Sequence, residues 1–184
     1  MLLWLWPLRR LSDGWQAFEA RVRQNEVGCE LEHGVALNDT VCALNTNELP
    51  ATASSEELTV VTTTDGAFIL QDSGATNGTS YTPFSVNAGV EQHDIDTANT
   101  AHFYDTGVAS VDDNYNILRV EIDASGDAFF YIDGTLVFAE ATGVATTATL
   151  APFIYVNTEV NGTTTVTQAI DWWEFIITRV NDAT

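Results

Sequence analysis

The chain has 184 residues, enough for one domain with a full core, and its 45% hydrophobic and 10% aromatic content excludes a disordered protein. Twenty-six acidic residues stand against six basic ones, a formal net charge of −20; all six are arginines (Arg9, Arg10, Arg21, Arg23, Arg119 and Arg179), and four precede residue 24. A surface this anionic repels nucleic-acid phosphates and anionic lipids, so nucleic-acid binding is excluded as a function, and the acidity reads first as a solubility device and second as fitness for high salt.

The opening Met-Leu-Leu-Trp-Leu-Trp-Pro is too short to cross a bilayer, so no membrane span is expected. It lacks the positive start and small-residue cleavage site of a signal peptide. Leu3, Leu5, Trp4 and Trp6 are expected to pack on the domain or on a neighbouring subunit. Residues 1–14 are therefore set apart as an apolar arm ahead of a domain over residues 15–184, with membrane-surface anchoring as the weaker alternative. Residues 15–22 alternate as a strand, with Trp15, Ala17 and Glu19 on one side and Phe18, Ala20 and Val22 on the other. Cys29 and Cys42 make no disulfide framework; they fit either one bridge between neighbouring strands or two free buried thiols, the second being the simpler. Residues 34–37 and 41–44 form a further pair broken at Asn38-Asp39. Residues 58–62 and 67–70 flank Asp65-Gly66, which predicts a hairpin there. Residues 71–87 are rich in Gly, Thr and Ser and read as loop, and residues 90–104 show no clear period.

The clearest segment lies in the second half. Residues 117–123 read as a strand, residues 124–127 as a turn and residues 128–132 as an aromatic-rich return. Asp133-Gly134 then supplies the two positive-φ positions of a tight hairpin before a strand over residues 135–139. Residues 150–156 are apolar on both alternating sets, which predicts a central strand covered on both sides. Residues 157–165 are a polar loop. Residues 169–178 are again apolar on both sets, which predicts another strand interior to a sheet. No stretch sustains helical periodicity, so the fold class is all-β, a sandwich or barrel of short antiparallel strands.

Particular residues carry a likeness. Arg119-Val-Glu-Ile-Asp123, Gly126, Phe130-Tyr-Ile-Asp-Gly134 and Val137 resemble the central hairpin of concanavalin A-like lectin/glucanase domains. Leu150-Ala-Pro-Phe-Ile-Tyr-Val156 and Ile170-Asp-Trp172 resemble the last strands of that fold, and Phe18-Glu-Ala-Arg21 with Gly34-Val-Ala-Leu-Asn-Asp-Thr40 resembles its first. Within that superfamily the order of these segments is most similar to structural proteins of tailed bacteriophages and related viruses. The resemblance implies a two-sheet antiparallel jelly-roll sandwich in a capsid-decorating or tail-appended protein. Fold alone does not fix function.

Glycosidases of this fold carry an E-x-D-x-x-E strand whose alternate carboxylates face the sugar. Glu121 and Asp123 match its first two positions and are expected to share a strand face, but Gly126 stands where the third acid belongs, so no catalytic residue is assigned. The resemblance implies a structural Ca²⁺ held through Asp171, in a D-W context on the last strand, with local hydrogen bonding as the plainer role. His93, Asp94, Asp96 and His102 are metal-ligand types, for which a solvated acidic loop is the better reading. Sugar stacking would use exposed aromatics, and Tyr81, Tyr104, Tyr115 and Tyr155 are the candidates. Trp172 and Trp173 cannot both be core on an outer strand, so Trp173, with Trp4 and Trp6, is expected at an interface. Asn38, Asn77 and Asn161 head Asn-x-Thr triplets that also arise from turn chemistry.

These readings converge on a non-enzymatic virion protein whose partners are other virion proteins or its own copies. The alternative is a carbohydrate-binding lectin-like module or host-surface adhesin, extracellular or at the cell surface. A glycoside hydrolase is the weakest reading.

Overall fold

A computed structural model of the chain describes residues 9–10, 14–25, 31–39, 51–54, 57–60, 63–72, 79–92, 105–158 and 167–178. Trp4, Trp6, Cys29, Cys42, Asn77, His93, His102, Tyr104 and Asn161 lie outside the described residues. The described residues form thirteen strands and no helix, hence none long and apolar enough to cross a membrane. In chain order these are β1 (Arg9–Arg10), β2 (Gln16–Gln24), β3 (Leu31–Asn38), β4 (Ala51–Ser54), β5 (Glu57–Val60), β6 (Gly66–Asp72) and β7 (Thr82–Asn87). They continue with β8 (Val90–Gln92), β9 (Tyr115–Ile122), β10 (Ala128–Ile132), β11 (Thr135–Glu140), β12 (Thr149–Thr158) and β13 (Gln168–Ile177).

Two antiparallel sheets carry the fold, one ordered β1-β12-β3-β6-β7-β8 and the other β11-β10-β9-β2-β13, with β4-β5 as a separate hairpin. The sheets are joined by side chains at every second position of their strands, as the two-residue period requires. Phe18, Ala20 and Val22 of β2, Leu118, Val120 and Ile122 of β9, and Ala128, Phe130 and Ile132 of β10 meet Val35, Leu37, Ala67, Ile69 and Leu150 of the other sheet. This architecture is the all-β jelly-roll sandwich expected from the sequence.

The β9–β10–β11 meander forms as its turn chemistry predicts. Asp133 and Gly134 have φ of 51° and 78°, the two left-handed positions of a two-residue hairpin joining Ile132 to Thr135. The Asp133 carboxylate accepts hydrogen bonds from the Ile117 amide (2.8 Å) and from Asn116 Nδ2 (2.9 Å), which locks the turn onto β9. At the other corner Asp123 Oδ1 accepts from the amides of Ser125 (2.8 Å) and Asp127 (3.0 Å). Gly126 closes that turn with φ 86°, and a Cβ there would overlap the Val144 carbonyl oxygen.

Four sequence expectations are corrected. Asp65-Gly66 is not a hairpin turn: β5 pairs with β4, and β6 pairs with β3 and β7. Asp65 instead uses Oδ1 to accept from the amides of Ala88 and Ala145, both at 3.1 Å, tying two connections together. The stretch read as loop contains β7, whose Thr82, Phe84 and Val86 are buried; its turn is Ala88-Gly89, with φ of 52° and 77°. Strand β12 is interior to its sheet, between β1 and β3, but its residues 151–154 are half-buried and Val156 is exposed, so it is less enclosed than expected. Among the described strands β13 lies at the edge of its sheet, not in its interior. Asp171 is an extra residue in its pairing with β2, which switches the parity of the residues after it. Ile170, Trp173 and Phe175 therefore face the other sheet, opposite Val22, Ala20 and Phe18, while Trp172 and Glu174 face away.

The two sheets differ in their second faces. Register puts Ala36, Phe68 and Phe84 side by side on the six-stranded sheet, away from the core, yet all three are buried. Phe68 and Phe84 stack at 4.6 Å with 2° between ring planes. Along β3, β6 and β7 that sheet is buried on both faces. The five-stranded sheet buries one.

One end of the core is polar. Gln24 Nε2 donates to Gln71 Oε1 (3.2 Å) and Ser110 Oγ (2.8 Å), and the buried Tyr81 hydroxyl lies within reach of Ser110 Oγ (3.4 Å) and Asn116 Oδ1 (3.3 Å). Burial, with the negative charge of Asp133 adding to it, pushes the Tyr81 phenol up from 10.0 to about 12 against the opposing bond to Ser110. A pKa raised on folding contributes stability that is complete below the unfolded value and lost as pH climbs through the folded one. Thermal denaturation should therefore show about 2–3 kcal/mol disappearing between roughly pH 10 and 12. Tyr81→Phe should cost about 1 kcal/mol at neutral pH and flatten that alkaline loss.

Candidate functional site

The uncovered face of the five-stranded sheet gathers the charged and aromatic side chains that the core rejects. Cross-strand register draws three rows. One runs Glu174–Glu19–Arg119–Tyr131–Leu136 across β13, β2, β9, β10 and β11. A second runs Ala17–Glu121–Phe129, and a third Trp172–Arg21–Ile117.

Arg119 is the hub. It forms an ion pair and hydrogen bond with Glu121, an ion pair with Glu19 at 3.5 Å, and its guanidinium lies 5.7 Å from the Tyr131 ring centre. Desolvation works against its charge, but the hydrogen bond and charge of Glu121, joined by Glu19, outweigh that and hold its pKa above the ordinary value. The Tyr131 phenol is also raised, first by burial and then by the charge and hydrogen bond of Glu121, with Arg119 opposing. Further along the sheet Arg21 and Arg23 lie over the Tyr115 ring at 4.3 and 5.1 Å. Arg21 is ion-paired with Asp171, and Arg23 with Asp113 at 3.6 Å.

The residues singled out in the sequence are dispersed. Glu121 lies on this face, but Asp123 sits past the end of β9 with Oδ1 occupied by two turn amides, so the two do not form a shared catalytic surface. Gly126 has no room for a side chain, let alone a third acid. Asp171 occupies the bulge of β13 and pairs with Arg21; among the described residues no group of three or more His, Cys, Asp or Glu is placed to hold a metal ion. Tyr81 is 1% exposed, which removes it as a sugar platform, because its ring fills the polar end of the core. Tyr115 lies on the open face beneath two guanidiniums. The Tyr155 side chain lies outside the described residues. Trp173 is 48% exposed on the core side of the edge strand, tilted against Phe18 with ring centres 6.4 Å apart, and Trp172 is exposed on the other side. Asn38 is buried and accepts a hydrogen bond from Thr63 Oγ1 at 3.0 Å, so its Asn-x-Thr triplet offers no accessible acceptor for a glycan.

The sequence reading missed Glu19, Arg119, Phe129 and Tyr131 as a group. The signal was present in the polar halves of two alternations, Glu19-x-Arg21-x-Arg23 and Arg119-x-Glu121, whose charges complement one another once the strands pair antiparallel.

No protein-family model matches the chain, and no curated protein matches its sequence. Solved structures do. A β-glucanase of Bacillus licheniformis is similar with a TM-score of 0.57 and 13% identity, over 90% of this chain and 67% of that one. An alginate lyase of Pseudomonas aeruginosa is similar with a TM-score of 0.56 and 8% identity, over 93% and 68%. The carbohydrate recognition domain of Emp46p, in a potassium-bound form, is similar with a TM-score of 0.56 and 15% identity, over 92% and 74%. The likeness establishes a concanavalin A-like jelly roll. None of these three is a virion protein.

Arg119→Gln should cost about 1–2 kcal/mol in urea denaturation, between the worth of an exposed ion pair and a buried one, because Glu19 and Glu121 then face each other unscreened. Glu121→Gln should cost less in that background than alone, a coupling that a double-mutant cycle reads directly.

Proposed function

We propose that this chain is a non-catalytic, lectin-like carbohydrate-binding module that engages glycans on the open face of the five-stranded sheet. The observation that carries this reading is the juxtaposition of aromatic and hydrogen-bonding rows. Phe129 and Tyr131 follow one another on the open face of β10, about 7 Å apart by strand geometry. Beside them on β9 stand Glu121 and Arg119. Aromatic faces stack on the apolar faces of sugar rings, while carboxylate and guanidinium groups bond the ring hydroxyls. Because the guanidinium is fixed by Glu19 and Glu121, the polar row is preorganised, and less ordering entropy is lost on binding.

Support also comes from the company the fold keeps: a carbohydrate recognition domain, a glucanase and an alginate lyase all name saccharides as what they bind or act on. Against a hydrolase stands the chemistry of the candidate acids. Glycoside hydrolysis needs two carboxylates flanking the scissile bond, one of them donating a proton. Glu19 and Glu121 instead share one guanidinium, and Asp123 is committed to its turn. A virion-shell role, expected from the sequence likeness, draws no support from these relatives.

Immobilised neutral polysaccharides should retain the intact protein. Tyr131→Ala should weaken retention by roughly fivefold, the worth of one stacked ring, without lowering the melting temperature enough to unfold the chain at the assay temperature. Undiminished retention by Tyr131→Ala and Phe129→Ala alike would move the site off this face.

A further inference from the structure

The charges of the open face constrain which glycan it takes. Three of the six arginines of the chain, Arg21, Arg23 and Arg119, lie on it, so in a protein of net charge −20 it is where an anionic ligand would look for a partner. Each of the three is already engaged. Arg21 is held by Asp171, Arg23 by Asp113, and Arg119 by both Glu19 and Glu121. Glu174, directly across from Glu19 on β13, has no arginine opposite it in the strand register. Among the described residues three guanidiniums therefore share this face with five carboxylates, four of them paired, and the formal local balance is −2 within an already negative field.

A uronate or sulfate group would have to displace a carboxylate from a guanidinium and do so against that field. An uncharged sugar meets neither obstacle. Its hydroxyls donate to carboxylates, which are the stronger kind of acceptor, and its ring carbons rest on Phe129 and Tyr131. Resting on the glycan-binding reading above, we infer that the open face of the five-stranded sheet selects neutral glycans and rejects acidic ones. The arginines there organise carboxylates as acceptors and are not themselves receptors for anions.

The test compares the intact chain on neutral polysaccharides (laminarin, mannan and galactan) and on polyuronates (alginate and polygalacturonate), at roughly 20 mM and 0.5 M sodium chloride. Binding to at least one neutral polymer is expected, with an affinity that moves by less than about twofold across that salt range. Polyuronates are expected to bind at least about tenfold more weakly at low salt, with the gap narrowing at high salt as repulsion is screened. Glu174→Gln, which removes one bordering charge, should strengthen polyuronate binding at low salt by about twofold or more and have less effect at high salt. Polyuronate binding that is tighter than neutral binding and weakens with salt would overturn the inference and leave glycan binding standing. No gain from Glu174→Gln would also overturn it, since the field would not be what excludes the anion. Retention on neither class of polymer would remove the glycan reading itself and this inference with it.

Discussion

The two-residue alternation along β2, held between β9 and β13, is the constraint that sets both the core and the candidate site. Its inward set, Phe18, Ala20 and Val22, is the apolar seam that the other sheet covers. Its outward set, Glu19, Arg21 and Arg23, is the polar seam that Arg119, Tyr115 and Asp171 complete. A slip of one residue in the pairing with β9 would bring charges into the core and phenyl rings into water, so register is enforced from both faces at once. The charges on the open face thus help to specify the fold, and the proposed recognition would draw on the same groups.

The two sheets have divided the labour that a symmetric sandwich would share. Along β3, β6 and β7 the six-stranded sheet is buried on both sides, with Val35, Leu37 and Ile69 toward the core and Ala36, Phe68 and Phe84 away from it. Its β3 approaches β6 so closely that a Cβ on Gly34 would overlap the Ile69 carbonyl oxygen. The five-stranded sheet has one buried face and one wet face, and the half-buried arginines and glutamates there are paired with groups of opposite sign, which offsets their desolvation.

How much of this could be read from the chain depended on how local the signal was. The meander from Tyr115 to Glu140 was legible because its turns are set by neighbouring residues, Asp133-Gly134 and the Asp123 cap. The core side of β2 was legible from its period. Asp65-Gly66 misled because the same dipeptide that makes a tight hairpin also serves where an aspartate must accept distant amides, and those of Ala88 and Ala145 are remote in sequence. Strand β7 hid among Thr, Ser and Gly because its outward residues are buried by long-range packing that composition does not announce. The edge position of β13 was hidden for the same reason in reverse: two apolar alternating sets read as an interior strand, and the bulge at Asp171 cannot be seen without the partner strand. On the candidate site, Glu121 and Arg119 are legible as outward residues of one strand, but their grouping with Glu19 depends on the antiparallel register of β2 and β9, which is not local.

The irregularity at Asp171 has a further effect on how the molecule behaves in company. A long edge strand with Ile170, Trp172 and Trp173 uncovered is the kind of surface on which identical chains stack, strand against strand, into fibres. One surplus residue near the start of that strand, bearing a negative charge, twists the ribbon away from flatness and interrupts the even row of amides that an incoming chain would need. Self-repulsion between chains of net charge −20 adds to this, so the defect and the acidity together guard a sticky margin against runaway polymerisation.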